Sequence, residues 1–378
     1  MDKLRILKFK DFISLQRGFD LPKENINPGT YPVVGSTSII GHHDEFKVEP
    51  PGVVMGRSGS LGIPQYVPVK FWPHNTSLWV KDFKGNFPRY VYYLLQTLDL
   101  GRFNAGTGVP TLNRNHLDNL KLTIHDLPTQ RKISDILSAF DELIEINQRR
   151  IALLEQAVRE IYREWFVRLR FPGHESTKIV AGIPEGWERK TYSDVFKFLG
   201  GFAFKSKTYQ PDGRFGIVTI KNVHNAQFIP ECASKTDDVP EKIKEHCVLG
   251  TGDILLSLTG EVGRCCMVFG ESYLLNQRVA KVVGYTDIPT SFAYWTFSNE
   301  RTRKELENLA HGAAQSNLSP VKLGNREFIK PASEILRLFG KIANPVFWQI
   351  ATLNLAIIKL NQARDLLLPR LMSGKLEI

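Results

Sequence analysis

The chain has 378 residues, of which 42% are hydrophobic and 23% charged, a composition typical of a globular protein with two or three domains. No apolar run approaches the roughly 18 residues of a membrane span, and residues 1–10 lack the apolar core of a signal peptide, so we expect a cytoplasmic protein. The 49 Lys and Arg residues outnumber the 39 Asp and Glu residues, an excess that is spread along the chain and favours a polyanionic partner only weakly.

Residues 1–127 predict a mixed α/β domain. Short β-rich runs such as 52–55 alternate with Gly and Pro residues, which mark turns. A helix is predicted after Pro88, because a proline in the first helical turn removes no hydrogen bond. Residues 172–330 show the same alternation, with a helix predicted after Pro289, so we expect a second mixed domain there.

Residues 128–171 and 331–378 each predict one long helix. Both stretches carry apolar residues at a sustained three-four spacing, which places a stripe along a helix and requires another helix against it. A helix of about 40 residues would be ~60 Å long, too long for one small domain to bury, so we predict an antiparallel coiled coil within the chain. Its predicted interface comprises Leu137, Phe140, Ile144, Asn147, Ile151, Leu154, Val158, Ile161, Phe339, Val346, Ile350, Leu353, Ile357, Leu360, Leu367 and Leu371.

Three residues interrupt this apolar pattern. A polar residue inside a helix interface can fix the register of the pair, and we expect this role for Asn147. Arg364 is expected to extend its head group into water. Pro345 is expected either to bend the second helix or to mark its start.

The sequence also predicts an internal repeat of about 200 residues. At an offset of 201, the matching pairs are Gly59 and Gly260, Gly62 and Gly263, Val67 and Val268, Asn75 and Asn276, Pro88 and Pro289, and Tyr93 and Tyr294. At an offset of 206 they include Gly106 and Gly312, Leu112 and Leu318, Leu117 and Leu323, and Asn119 and Asn325. The change of offset predicts an insertion between residues 295 and 312.

No group of residues in the sequence matches the pattern of a catalytic or metal-binding site. Cys232, Cys247, Cys265 and Cys266 lack the spacing of a metal site, so buried, reduced thiols are expected. The tetrapeptide 344–347 partly matches the Asn/Asp-Pro-Pro-Tyr/Phe motif of amino-methyltransferases, but its second proline is missing and it lies in a helical stripe. The Gly-rich run 56–62 has no helix signal after it, as a dinucleotide site would need. We therefore predict neither a catalytic nor a metal site.

The recurring loops are candidates for DNA contact instead. Small residues let a backbone approach phosphates, and Arg, Asn and Gln can bond to base edges, although the same residues are common in ordinary turns. The candidate DNA-binding residues are Arg57, Ser58, Ser60, Asn75, Thr107, Thr111, Asn113, Arg114, Lys221, Asn222, Thr259, Arg264, Asn276, Arg278, Gln315, Ser316 and Asn317.

The order of mixed domain, long helix, mixed domain and long helix resembles the specificity subunit of type I restriction-modification enzymes. The motifs that carry the resemblance are LPTQRKISDILSAFDELI at 127–144 and LNQARDLLLPRLMSG at 360–374. One departure is the entry to the second helix, PASEILRLF at 331–339, which lacks the Gln-Arg of the first. The resemblance extends over essentially the whole chain.

The resemblance implies an α+β fold with two similar target-recognition domains (1–127 and 172–330) and two spacer helices (128–171 and 331–378) in an antiparallel coiled coil. It implies a non-catalytic, prokaryotic cytoplasmic subunit that reads a bipartite target in double-stranded DNA. The implied partners are two methyltransferase subunits and the restriction subunits. S-adenosylmethionine, ATP and magnesium are implied on those partners, with no cofactor in this chain.

Two other classes of protein remain open from the sequence. One is a coiled-coil adaptor that does not read DNA. The other is a catalytic methyltransferase or nuclease chain, against which the incomplete motifs argue.

Overall fold

The computed structural model describes residues 4–104, 110–310 and 317–378. The chain divides into two compact units, Met1–Ile144 with Leu360–Ile378 and Glu145–Lys359. The division crosses both long helices, so each unit combines a mixed domain with a part of each helix.

The first unit contains a four-stranded sheet, a three-stranded sheet and a two-stranded sheet, with helices packed against them. Its strands are β1 (Arg5–Lys8), β2 (Ser14–Arg17), β3 (Tyr31–Val34), β4 (Ile39–His43), β5 (Gly52–Gly56), β6 (Pro64–Val67), β7 (Trp72–Pro73), β8 (Ser77–Asp82) and β9 (Lys121–Ile124). Its helices are α1 (Phe9–Phe12), α2 (Pro88–Gln96), the first part of α3 (Leu127–Tyr162) and the last part of α8 (Ser333–Met372). Strands β2, β8, β5 and β6 form an antiparallel sheet in that order, β4, β3 and β7 form a second sheet, and β1 pairs with β9.

The second unit repeats this plan with more strands. Its strands are β10 (Ile179–Val180), β11 (Ile183–Pro184), β12 (Glu188–Thr191), β13 (Phe196–Gly200), β14 (Phe215–Val218), β15 (Val223–His224), β16 (Gln227–Phe228), β17 (Lys235–Thr236), β18 (Val248–Leu249), β19 (Ile254–Ser257), β20 (Cys265–Met267), β21 (Tyr273–Leu275), β22 (Val279–Gly284) and β23 (Glu327–Lys330). Its helices are the last part of α3, α4 (Tyr192–Val195), α5 (Thr290–Phe297), α6 (Glu300–Ala310), α7 (Pro320–Gly324) and most of α8 (Ser333–Met372).

Strand order confirms the internal repeat. Strands β13, β22, β19 and β20 form an antiparallel sheet in the same order as β2, β8, β5 and β6. Strands β17, β14 and β21 match β4, β3 and β7, with β18 added at the edge, and β12 pairs with β23 as β1 pairs with β9. Helix α6 stands where the first unit has a single 3-10 turn, Leu100–Phe103, which accounts for the predicted insertion.

The predicted alignment of Asn75 with Asn276 is wrong by one residue. The backbone N–H of His74 donates to the carbonyl of Val34 at 2.9 Å, and the N–H of Asn276 donates to Val218 at 3.0 Å, so His74 and Asn276 are equivalent. The reason is a loop between β20 and β21 that is one residue longer than the loop between β6 and β7. Pro88 and Pro289 are likewise displaced: Pro88 is the first helical residue of α2, whereas Pro289 caps α5.

Both long helices predicted from the apolar spacing are present, but α3 ends at Tyr162, with a π-helical segment to Val167, before the predicted end at 171, and α8 ends at Met372. In the first unit, Leu137 of α3 lies in the same hydrophobic core as Leu368 and Leu371 of α8. In the second unit, Val158 of α3 shares a core with Phe339 of α8. Within each unit an early part of one helix therefore packs with a late part of the other, which is the antiparallel arrangement.

Helix α8 continues through Pro345 without interruption. It begins at Ser333, so the alternative that Pro345 marks the start of the helix is wrong. The buried residues around this position follow one helical face, and their packing stabilises the helix where the proline removes a backbone donor.

Candidate nucleic-acid interface

In the first unit, the loop that follows β5 lies against the segment that leads towards β9. The N–H of Leu112 donates to the carbonyl of Arg57 at 2.8 Å, and Ser58 forms an isolated antiparallel bridge with Thr111. The loop itself is closed by a bond of 2.9 Å from the Gly62 N–H to the Gly56 carbonyl. Candidate residues from two distant stretches of sequence are thus brought side by side.

The second unit has the same loop pairing with different side chains. The N–H of Leu318 donates to the carbonyl of Leu258 at 2.8 Å, and Thr259 bridges Asn317. The Thr259 hydroxyl donates to the Asn317 side-chain oxygen at 3.2 Å. A bond of 3.0 Å from the Gly263 N–H to the Ser257 carbonyl closes this loop. The backbone of the two candidate surfaces is therefore alike, and the side chains differ.

Several candidate side chains of the first unit are engaged within the protein. The Asn75 amide donates to the carboxylate of Asp20. The Arg114 guanidinium donates to the carbonyl of Leu15 at 3.0 Å, and the Asn113 side chain accepts the N–H of Asn115 at 3.1 Å. These contacts stabilise the loop segments that carry the three residues. A DNA contact would therefore have to use side-chain donors that are not already engaged.

Candidate residues of the second unit divide in the same way. Asn222 is only 3% exposed, and its amide donates to the carbonyl of Ile229 at 2.9 Å while its oxygen accepts the N–H of Thr219 at 3.0 Å. It stabilises a turn and does not lie at the surface. Arg264 forms an ion pair with Glu261, whereas Asn276 accepts the N–H of Arg278 at 3.4 Å.

Three candidate cations have side chains without a hydrogen-bond or ion-pair partner among residues 4–104, 110–310 and 317–378: Arg57, Lys221 and Arg278. Lys221 and Arg278 are exposed, as is the neighbouring candidate Ser60, and Arg57 is half-buried. Unpaired cations on a loop surface can neutralise phosphates. Thr107, Gln315 and Ser316 lie outside the described residues.

The corrected alignment reveals a residue that the sequence patterns did not single out. Gln277, and not Asn276, is the counterpart of Asn75, and it is exposed beside Arg278. Its N–H donates to the carbonyl of Phe202 at 3.0 Å, which fixes the backbone and leaves the side chain outside. The sequence repeat identifies Gln277 once the alignment allows for the longer loop between β20 and β21.

The predicted helix interface is partly or fully buried throughout. Its buried members are Leu137, Ile144, Val158, Phe339, Ile350, Leu353 and Leu371. Its partly buried members are Phe140, Asn147, Ile151, Leu154, Ile161, Val346, Ile357, Leu360 and Leu367. The strict seven-residue spacing overlooked Leu336 and Phe347, both fully buried, because the core face of α8 follows the helical period of 3.6 residues more closely.

Arg364 does not extend into water as expected. Its guanidinium forms an ion pair of 2.8 Å with Asp141 of α3, within the first unit. The two side chains are about equally shielded, at 25% and 24% exposure. The expectation was wrong because the sequence pattern could not show that an acid on the other helix lies opposite this position.

Glu155 of α3 is a buried carboxyl in the second unit. It accepts a hydrogen bond of 2.6 Å from the Tyr294 hydroxyl, and Arg159 lies 3.4 Å away. Burial raises the pKa of Glu155 above its ordinary value of 4.5, against the opposing effect of these two neighbours. An acid with a raised pKa in the folded chain makes folding less favourable as pH rises through its unfolded value.

We therefore expect Glu155→Gln to raise the Tm at pH 7.5, because glutamine cannot ionise, and the difference from the unsubstituted chain to vanish below pH 4.5. Calorimetry of the full chain at several pH values measures this, with Glu160→Gln, an exposed position on the same helix, as the control. A lower Tm of Glu155→Gln at pH 7.5 would mean that the bonds to the carboxylate outweigh the cost of burying it.

The cysteines behave as expected: all four are buried and free. Burial raises the pKa of Cys232 to about 11. Within the described parts of the chain, no three His, Cys, Asp or Glu side chains converge as metal ligands do. The helices described there also include none long and apolar enough to cross a membrane.

A family model described as type I restriction modification DNA specificity domain matches residues 1–156 and 184–343. The chain is 24% identical over 316 residues to the type I restriction enzyme MjaIX specificity subunit of Methanocaldococcus jannaschii, covering 78% of this chain and 70% of that protein. It is 23% identical over 330 residues to the HindI specificity subunit of Haemophilus influenzae, covering 71% of each. The crystal structure of a type I restriction-modification S subunit from M. genitalium shares the fold, with a TM-score of 0.67 and 18% identity over 98% of this chain and 96% of that one.

Proposed function

The chain belongs to the family of type I restriction-modification DNA specificity domains and is a specificity subunit of such a system, and we propose that each of its two units reads one half of a bipartite DNA target. The observation that carries the proposal is the duplicated loop pairing. Arg57 and Ser58 stand in one unit where Leu258 and Thr259 stand in the other, on the same hydrogen-bonded backbone. One framework that presents different side chains suits two different half-site sequences.

The unpaired cations support the same proposal. Arg57 in the first unit and Lys221 and Arg278 in the second would contact phosphates beside the base-reading loops. Gln277 adds a side chain whose amide can bond to a base edge. Five other candidates are engaged by hydrogen bonds or ion pairs within the protein: Asn75, Asn113, Arg114, Asn222 and Arg264.

We propose further that α3 and α8 act as the spacer between the two readers. Helix α3 has 36 residues and α8 has 40, which at 1.5 Å per residue is ~54 and ~60 Å. Half-sites one turn of DNA apart are separated by ~34 Å, so continuous helices of this length are sufficient for a spacer.

The chain itself would be non-catalytic and cytoplasmic. Methyl transfer would come from two methyltransferase subunits that carry S-adenosylmethionine. Restriction subunits that use ATP and magnesium would complete the assembly. The names of the relatives support this, since each is called the specificity subunit of a type I restriction enzyme.

Domain exchange tests the two-reader proposal. When residues 1–127 are replaced by the corresponding domain of another specificity subunit, we expect one half of the methylated sequence to change and the other half to stay the same. The measurement is methylome sequencing of a host that expresses the exchanged chain with its methyltransferase partner.

The matched control is the reciprocal exchange of residues 172–330, which should change the other half. A change in both halves, or in neither, would contradict the proposal. Methylation that is independent of the exchanged domain would instead support the adaptor interpretation.

A further inference from the structure

Helix α2 of the first unit is capped by a side chain of the long helix α3. The N–H groups of the first helical turn have no partner within their own helix. The N–H of Phe87, the N-cap residue just before α2, donates to the side-chain oxygen of Gln130 at 2.8 Å. The Gln130 amide is 2% exposed, and it donates in turn to the side-chain oxygen of Asn86 at 2.8 Å and to the carbonyl of His125 at 2.9 Å. One buried amide therefore joins the start of α2 to α3.

The second unit has a comparable attachment, on the other long helix and two residues further into the helix. The N–H of Ser291, in the first turn of α5, donates to the side-chain oxygen of Asn344 at 3.2 Å. Asn344 begins the tetrapeptide whose likeness to a methyltransferase motif left it without a role. Asn344 thus attaches α5 to α8, as Gln130 attaches α2 to α3.

A tyrosine in α2 and a tyrosine in α5 each make a second polar bond, in both cases to α3. In the first unit the Tyr93 hydroxyl donates to the carboxylate of Asp141 at 2.5 Å, and Arg364 donates to the other oxygen at 2.8 Å. In the second unit the Tyr294 hydroxyl donates to Glu155 at 2.6 Å, and Tyr294 is 1% exposed. Helices α2 and α5 are thus each held near the start and again further along.

Two separated hydrogen bonds fix the orientation of a helix, which apolar packing alone does not. Apolar contacts are non-directional and tolerate small rotations or shifts of one surface over another. A buried donor that loses its acceptor leaves an unsatisfied group, so a pair of such bonds selects one orientation. Helix α2 shares a core with β5, and α5 shares one with β19, and the reading loop follows each of these strands directly. The orientation of α2, and of α5 in the second unit, therefore influences where the adjacent loop lies.

We propose that Gln130 with the Tyr93–Asp141 pair, and Asn344 with the Tyr294–Glu155 pair, are positioning residues that set the angle of each reading domain on the long helices and so the gap length between the half-sites. This inference rests on the proposed function. It assigns no base contact to any of these residues.

The test compares gap lengths in the complex of the full chain with its methyltransferase partner. Tyr294→Phe removes only the hydroxyl, and Asn344→Ala removes the other attachment. We expect methylation at gaps one base pair shorter or longer to rise about tenfold relative to the preferred gap in Tyr294→Phe, which loses a buried hydrogen bond to a carboxyl group, and by a smaller factor in Asn344→Ala, which loses a bond from a backbone N–H. The bases recognised in each half-site should not change. Methylome sequencing provides both readouts.

Two controls separate positioning from general stability. Tyr273→Phe removes a tyrosine hydroxyl from β21, where the ring packs against Phe228 within the domain, and should leave gap selection unchanged. Glu155→Gln keeps an oxygen that can accept the Tyr294 hydroxyl and should retain the gap preference of the unsubstituted complex.

Unchanged gap selection in both Tyr294→Phe and Asn344→Ala, with the complex assembled, would overturn the inference whatever happens to the Tm. Equal relaxation in Tyr273→Phe would overturn it too, because the effect would then be one of general stability. If the unsubstituted complex methylates a single uninterrupted site, the proposed function itself is wrong, and that result is distinguishable from either of the others.

Discussion

Phe339→Asp is expected to unfold the second unit. The Phe339 side chain is 0% exposed, and its ring lies 5.1 Å from that of Phe166 and 6.1 Å from that of Tyr162. Removing a buried phenyl ring and leaving an unpaired charge costs about 5 kcal/mol or more, which is comparable with the whole stability of many domains at roughly 5–15 kcal/mol. Limited proteolysis and thermal unfolding of the full chain measure the loss.

Leu366→Asp is the matched control on the same helix, because Leu366 is 64% exposed. A surface substitution of this kind changes stability by about 0.5 kcal/mol or less. If both variants melt alike, or if Phe339→Asp melts like the unsubstituted chain, the pairing of α3 with α8 in this unit is not what holds it together.

Gly201→Ala is expected to displace the candidate reading segment of the second unit. A Cβ at Gly201 would lie 2.3 Å from the Asn276 carbonyl oxygen and 2.5 Å from that of Leu275, and neither backbone oxygen can move without its strand. The bonds that join Phe202 to Leu275 at 2.8 Å and Gln277 to Phe202 at 3.0 Å would have to break. We expect a loss of about 2–3 kcal/mol in the free energy of unfolding and weaker discrimination at one half-site.

The neighbouring Gly200 provides the control, since a Cβ there meets no atom within 4 Å. Gly18→Ala provides the counterpart in the first unit, where the Cβ would lie 2.1 Å from the His74 carbonyl oxygen. Binding of the complex to duplexes altered in one half-site should show opposite halves affected by Gly18→Ala and Gly201→Ala. The same half affected by both would contradict the assignment of one half-site to each unit.

Local patterns in the sequence were sufficient for the elements and their order. The three-four spacing predicted both long helices, and Pro88 marked the start of α2 correctly. The repeat predicted that the second mixed domain has the plan of the first, and the shared strand order confirms it. These properties follow from periodicity and turn residues, which are local features of the sequence.

Pairings between distant residues could not be predicted in this way. Arg364 and Asp141 are 223 residues apart in sequence, and nothing near either residue shows that they meet. The same holds for Ser291 and Asn344. Asn344 begins the tetrapeptide that partly matches a methyltransferase motif, and in the structure it accepts the Ser291 N–H instead. Asparagine is a residue type that can bond to base edges, yet the amide of Asn222 forms a hydrogen bond within the turn around it.

The sequence by itself therefore determined the fold class, the two long helices, the duplication and the family of this protein. Only the tertiary structure decided the one-residue shift that pairs His74 with Asn276, the continuity of α8 through Pro345 and the acceptors of Tyr93 and Tyr294. The physical reason is that helix and strand preferences act over a few residues, whereas directional bonds between buried groups depend on which surfaces the folded chain brings together.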